Sequence, residues 1–204
     1  MLTENYDLVQ KKIENACTKA GRNREEVTLI AVSKTKPVEL IGEAVQAGCL
    51  SLGENKVQEI MEKLPALEKN FRIHLIGRLQ SNKVKYIIDH VCLIHSVDRL
   101  SLAQEIDRQA QKHNRVMPVL IQVSPCGEAQ KGGLPPEELI PFLRTVSQLP
   151  GLSVQGLMAV MPNTPDTALL DKLKMSRDFD GYDTYMTKLT QAKSDIDALY
   201  AEIE

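Results

Sequence analysis

Lys34 is the residue of this sequence whose position is best suited to covalent chemistry. It follows Ser33 and an unbroken apolar and β-branched run at residues 27–32, and Pro37 then stops further sheet pairing. Such a run predicts a strand buried on both faces of a parallel sheet. A lysine at the end of that strand would be partly desolvated, which favours the neutral amine that an imine with an aldehyde requires. The competing interpretation is a solvated lysine at a strand end, and this stretch alone favours it.

Other polar residues follow predicted strands, and each has a structural interpretation beside the functional one. Asn55 in GENK could hydrogen-bond a ligand, although an isolated asparagine at a strand end more often closes a turn. His74 lies inside a predicted strand, where a satisfied core histidine is more common than a metal ligand. The amides of residues 81–83 begin a predicted helix, an arrangement that suits an anion. No metal site is predicted.

The elements that must position these residues alternate along the chain as strand and helix. We predict a first helix at residues 3–20 and six strands at residues 27–32, 49–52, 72–76, 91–95, 116–123 and 153–160. Short connections between such strands indicate parallel, right-handed crossovers. Polar clusters follow every strand, which is the pattern of a barrel with its chemistry on one rim. An open doubly wound sheet is the alternative, but no GxGxxG follows any strand.

The fold class is therefore α/β, a TIM-type (β/α) barrel of parallel strands in a single domain at residues 1–204. Residues 166–204 form an atypical tail that we predict to be mostly helical, from apolar residues at helical spacing after residue 182. The last two strands of a barrel are not evident in the sequence.

The composition restricts the class of protein. Lysine and arginine total 25 against 27 acidic residues, and aromatic residues make up only 4% of the chain, so neither a basic field nor a stacking surface predicts nucleic-acid binding. The four cysteines have no paired spacing, which predicts reduced thiols in the cytoplasm. No apolar run is long enough to predict a membrane span or a signal peptide.

Five segments have a distinctive order and spacing: AVSKTKP (residues 31–37), GENKVQE (53–59), HLIGRLQSNK (74–83), IHSVDR (94–99) and GLMAV (156–160). Together they resemble the YggS/PROSC family of pyridoxal phosphate homeostasis proteins, over residues 1 to 162. The resemblance implies a single barrel similar to the N-terminal domain of alanine racemase. It also implies pyridoxal 5'-phosphate (PLP) held as a Schiff base on Lys34, with Asn55 in the site and Met158 of GLMAV as a further cofactor-binding residue.

The sequence departs from the family pattern at several positions. Lys56 stands where the family usually has tyrosine, and Leu52 where it usually has phenylalanine. The SMGMS-type and RxGxxxFG motifs that bind the PLP phosphate in the family are not present intact. The segment KMSRDFD is similar to the first of them, which makes Ser176 a candidate phosphate ligand. We expect either that the native protein has strands beyond this sequence or that this member lacks that half of the site.

Three functions remain to be weighed. Members of the family have no established enzymatic activity and help to control free PLP, so the resemblance implies a non-catalytic, usually monomeric cytosolic carrier whose partners could include PLP-dependent apo-enzymes. The alternative is a PLP-dependent racemase or decarboxylase. A racemase of this fold needs a second base from an additional domain, which this sequence does not contain. A cofactor-free Schiff-base aldolase would need a carbonyl substrate site that the sequence does not specify. The carrier is the preferred interpretation.

Overall fold

The computed structural model describes residues 2–67, 71–124 and 132–160. The chain divides into two compact units between Ser96 and Val97. Within the described ranges, no helix combines the length and the apolar character needed to cross a membrane.

The first unit alternates helices with short parallel strands. Its elements are α1 (Leu2–Lys19), β1 (Ala31–Val32), α2 (Val38–Gln46), β2 (Ser51–Glu54), α3 (Val57–Lys63), β3 (Arg72–Leu75), α4 (Val84–Ile87) and β4 (Leu93–Val97), with 3-10 turns at Arg24–Glu26, Leu64–Ala66 and Ser81–Lys83. The strands pair in parallel in the order β1, β2, β3, β4. This order confirms that the predicted crossovers are parallel, since each pair of neighbouring strands is joined by a helical connection.

The core of the first unit lies between β2–β4 and the helices. Its fully buried large side chains include Leu52, Ile60, Leu75, Leu79 and Ile87. Burying each such side chain contributes roughly 1.5–3 kcal/mol to the free energy of unfolding.

The strand predicted at residues 27–32 is wrong in length and in burial. Only Ala31–Val32 form a strand, none of residues 27–32 is buried, and Val32 is 49% exposed. Within the described residues β1 pairs only with β2, so one edge of this strand receives no hydrogen bonds from the described residues.

The second unit contains α5 (Leu100–Lys112), β5 (Met117–Gln122), a 3-10 turn (Pro136–Glu138), α6 (Leu139–Val146) and β6 (Leu152–Met158). The parallel pairing of β5 with β6 runs from Met117 opposite Leu152 to Gln122 opposite Met158, with an irregularity between Val119 and Leu120. The helix α5 has a buried apolar face, in which Leu102, Ile106 and Ala110 are fully buried at spacings of four residues. The predicted tail helix lies outside the described residues.

Candidate functional site

Lys34 and Asn55 lie at the carboxyl ends of two neighbouring parallel strands. Val32, the last residue of β1, is in register with Gly53 of β2, and the Ser33 amide donates to the Gly53 carbonyl at 3.0 Å. Lys34 and Asn55 are each the second residue beyond that registered pair, so the chain brings both to one edge of the sheet. The prediction that the polar residues after these strands lie on one rim is thus confirmed for Lys34 and Asn55, and this rim is the functional edge of α/β folds.

The Lys34 side chain is exposed, so the predicted desolvation by a buried strand is wrong. The reason is the short, exposed β1, which does not surround the lysine with apolar side chains. Among the described residues neither the Lys34 amine nor the Asn55 amide forms a hydrogen bond or an ion pair. Both groups are therefore available to a ligand, and a primary amine is the group that forms an imine with an aldehyde.

A buried ion cluster holds the backbone on both sides of Lys34. Lys63, at the end of α3, is 8% exposed and donates to the Ser33 carbonyl at 2.8 Å and to Glu54 Oε1 at 2.7 Å. Its Nζ also lies 3.5 Å from Glu59 Oε2. The ammonium thus donates two hydrogen bonds and forms an ion pair with Glu59.

The two glutamates of the cluster bind the loop directly. Ser33 Oγ donates to Glu54 Oε1 at 2.7 Å, and the Thr35 amide donates to Glu59 Oε2 at 2.7 Å. The hydrogen bond from the Thr35 amide is the main cause that lowers the pKa of Glu59, and the charge of Lys63 lowers it further. Glu59 is accordingly a carboxylate at neutral pH, and its bond to Thr35 is charge-assisted.

Thr35 has a left-handed backbone conformation, with φ of 61°. This region is disfavoured for a β-branched residue, and it persists only where surrounding contacts enforce it. The Thr35 hydroxyl donates to the Lys34 carbonyl at 2.6 Å. The loop that carries Lys34 is therefore a strained turn held by specific bonds.

Gly77 packs directly against the backbone of Asn55. A Cβ atom on Gly77 would lie 2.7 Å from the Asn55 Cα, so a larger residue cannot occupy this position without displacing one of the two loops. Ser96 Oγ donates to the Gly77 carbonyl at 2.7 Å and fixes the same turn.

His74 and His95 form a buried pair on the strands β3 and β4. His74 Nδ1 and His95 Nε2 are 3.0 Å apart, and the rings meet edge-on. Burial lowers the pKa of both imidazoles, that of His95 to about 4, so the pair is neutral at pH 7. The prediction of a core position for His74 is confirmed. The prediction that His74 is satisfied in its hydrogen bonds is only half right. His74 Nδ1 has a partner in His95, but His74 Nε2 is buried with no partner among the described residues.

The other predicted site residues are not part of the edge formed by β1 and β2. Met158 ends β6 in the second unit and is half-buried, and Ser176 lies outside the described residues. Residues 81–83 form a 3-10 turn in which the Lys83 amide is bonded to the Gln80 carbonyl, so it is not free for an anion. In the described ranges, no group of three or more acidic, histidine or cysteine side chains could hold a metal ion.

A cavity of about 350 Å³ lies between α1, β1 and α2. It is lined mostly by apolar side chains, with Ser33 and Lys36 among its polar residues, and neither Lys34 nor Asn55 lines it.

Sequence reasoning missed the ion cluster and the role of Gly77. Glu54 and Glu59 both belong to the segment GENKVQE, and Lys63 follows Glu59 by four residues on the same helix, a spacing that brings two helical side chains together. That spacing was the signal in the sequence from which the ion pair of Glu59 and Lys63 could have been predicted. The bond from Lys63 across to Ser33 has no signal in the sequence.

The model of the alanine racemase N-terminal domain family matches residues 5–201. The pyridoxal phosphate homeostasis protein of Aquifex aeolicus is 44% identical over 160 residues, which is 78% of this chain and 70% of that protein. The structure of PipY from Synechococcus elongatus with PLP bound is 32% identical with a TM-score of 0.72, covering 90% of this chain and 82% of PipY. Alanine racemase of Clostridium difficile is 17% identical with a TM-score of 0.66, covering 83% of this chain and 46% of the racemase, which is a likeness of fold alone.

Proposed function

The chain belongs to the family of pyridoxal phosphate homeostasis proteins, with the α/β barrel of the alanine racemase N-terminal domain, and on that premise we propose that it binds PLP as a Schiff base on Lys34. The observation that carries the proposal is the position of Lys34 and Asn55 at the carboxyl edge of β1 and β2, where neither side chain is bonded to another described residue. The PLP-bound structure of PipY supports it, because that relative matches nine-tenths of this chain.

The residues of the first unit have distinct roles in this proposal. Lys34 supplies the amine, and Asn55 supplies an amide that can hydrogen-bond a polar group of the ligand. Bound PLP would contribute an aldehyde and an electron-withdrawing ring. Met158 and Ser176 stay predicted cofactor-binding residues, Ser176 for the phosphate.

The proposed biological role is non-catalytic control of PLP in the cytoplasm, with transfer to PLP-dependent apo-enzymes as the corresponding interaction. The homeostasis names of the relatives support this role. A PLP-dependent racemase or decarboxylase is the alternative, and the likeness to alanine racemase is the observation that favours it.

Absorbance and exchange measurements separate these possibilities. The purified protein titrated with PLP should develop an imine absorbance band, and Lys34→Ala should not. Deuterium exchange at the α-carbon of alanine, followed by NMR, should then be no faster with the loaded protein than with free PLP. Fast exchange that is lost in Lys34→Ala would replace the carrier with an enzyme.

The predicted phosphate ligand is tested by comparing PLP with pyridoxal. Ser176→Ala should weaken PLP binding and leave pyridoxal binding unchanged. Equal weakening of both aldehydes would remove Ser176 from the phosphate site.

A further inference from the structure

The backbone on both sides of Lys34 is fixed by hydrogen bonds, whereas the Lys34 side chain is not. The residue before it is bound through its carbonyl and its hydroxyl, and the residue after it through its amide. All three bonds end on one cluster, Glu54, Glu59 and Lys63. The Lys34 side chain is exposed and makes no contact of this kind with the described residues.

The cluster is built to be rigid. Glu54 and Lys63 are 3% and 8% exposed, so their 2.7 Å ion pair is screened little by solvent. Glu54 is the last residue of β2, and Glu59 and Lys63 lie four residues apart on α3. The cluster therefore joins the β1 loop to a strand and a helix that are themselves fixed in the core.

The left-handed conformation of Thr35 indicates why such anchoring is needed. An unanchored threonine would leave this conformation, because its Cβ branch crowds the backbone there. A change at Thr35 would rotate the peptide that joins it to Lys34 and redirect the lysine. The bond from Glu59 to the Thr35 amide opposes that change.

From these contacts we infer that Glu54, Glu59 and Lys63 are positioning residues, which hold the loop of residues 33–35 so that the Lys34 amine is presented in one orientation to its aldehyde ligand. The inference rests on the proposed Schiff base at Lys34. The cluster does not touch the ligand in this account. It acts through the peptide groups on either side of Lys34.

Glu59→Ala is the most informative variant, since Glu59 is at the rim of the cluster and its loss leaves the buried Glu54–Lys63 pair intact. Glu62→Ala removes the same charge from an exposed position of the same helix and is the matched control. Glu59→Gln keeps an acceptor for the Thr35 amide and serves as the conservative rescue.

Two readouts are needed, one of them independent of the cofactor. In the protein without PLP, amide hydrogen exchange at Thr35 should become about 10- to 100-fold faster in Glu59→Ala, as expected for loss of one charge-assisted hydrogen bond. The dissociation constant for PLP, from the imine absorbance titration, should rise by about tenfold or more. Glu62→Ala should change neither quantity, and Glu59→Gln should lie between wild type and Glu59→Ala.

Each contrary outcome has a definite meaning. Faster exchange at Thr35 with unchanged PLP affinity would make the cluster structural only and overturn the positioning role. Unchanged exchange would show that Glu59 does not hold the loop and would overturn it as well. If the wild-type protein forms no imine on Lys34, both the proposed function and the positioning role are wrong. This outcome is distinguished from failure of the positioning role alone, because in it the wild-type protein itself does not bind PLP on Lys34.

Discussion

The backbones of Gly77 and Asn55 are so close that a Cβ atom on Gly77 would lie 2.7 Å from the Asn55 Cα. This contact links the turn after β3 to the turn after β2, which carries Asn55. Both turns are thus coupled by backbone packing, which a side-chain rotation cannot relieve.

Gly77→Ala should weaken PLP binding and lower the free energy of unfolding by about 1–3 kcal/mol, because the added methyl group must displace the Asn55 backbone. Gly42→Ala is the control. A Cβ atom at Gly42 in α2 meets no atom within 4 Å, and alanine there should stabilise the protein by up to about 1 kcal/mol. Urea unfolding and PLP titration measure both effects, and wild-type affinity in Gly77→Ala would show that Asn55 does not depend on this contact.

The buried histidine pair should make stability fall as pH decreases. The folded pKa of His95 is about 4 and its usual value is 6.5, so between these values the unfolded chain binds more protons than the folded one. The stability that the neutral imidazole contributes is fully present above pH 6.5 and is lost as pH falls towards 4. From pH 7 to pH 5 the loss should be about 2 kcal/mol.

The variants His95→Gln and His90→Gln separate the contribution of His95 to the pH dependence of stability from the contributions of other titrating groups. His90 is exposed, so His90→Gln should keep the wild-type difference between the free energies of unfolding at pH 7 and pH 5. His95→Gln should reduce that difference by about 2 kcal/mol. An equal pH dependence in wild type and His95→Gln would contradict the assignment.

Asp107 should be a major determinant of the stability of the second unit. It is 9% exposed, its Oδ1 accepts from the Gly151 amide at 2.7 Å, and its Oδ2 accepts from Gln111 Nε2 at 2.8 Å. Asp107→Ala leaves the buried Gly151 amide without its acceptor, which should cost about 1.5–3 kcal/mol in urea unfolding. Gln111→Ala removes only the more exposed bond and should cost less than about 0.5 kcal/mol. Similar losses in the two variants would refute a special role for the Gly151 amide.

Local periodicity predicted the alternation of helices and strands, and it failed where burial depends on distant residues. The helix α1 formed within one residue of the predicted range, yet Cys17 is its only buried residue, whereas α5 buries Leu102, Ile106 and Ala110. The run at residues 27–32 has the composition of a central strand, yet composition does not specify which strands will flank it. The strand at Ala31–Val32 is consequently shorter and more exposed than its sequence predicts.

The placement of Lys34 and Asn55 at one edge of the sheet was predictable, because both come shortly after predicted strands and belong to distinctive segments. Lys63 was not, since a lysine in an amphipathic helix usually faces solvent. Its burial is explained by Glu54 and the Ser33 carbonyl, which lie on other elements. The pairing of His74 with His95 likewise joins residues 21 apart in sequence, through strand packing that single-strand patterns do not encode.

Borohydride reduction of the PLP-loaded protein, followed by peptide mapping, tests the central claim most directly. We predict one pyridoxyl group on Lys34 and none in Lys34→Ala, with the variant folded as in wild type because the exposed side chain contributes little packing. Pyridoxyl on Lys36, Lys63 or Lys83 in the wild-type protein, or undiminished labelling of Lys34→Ala, would contradict the account.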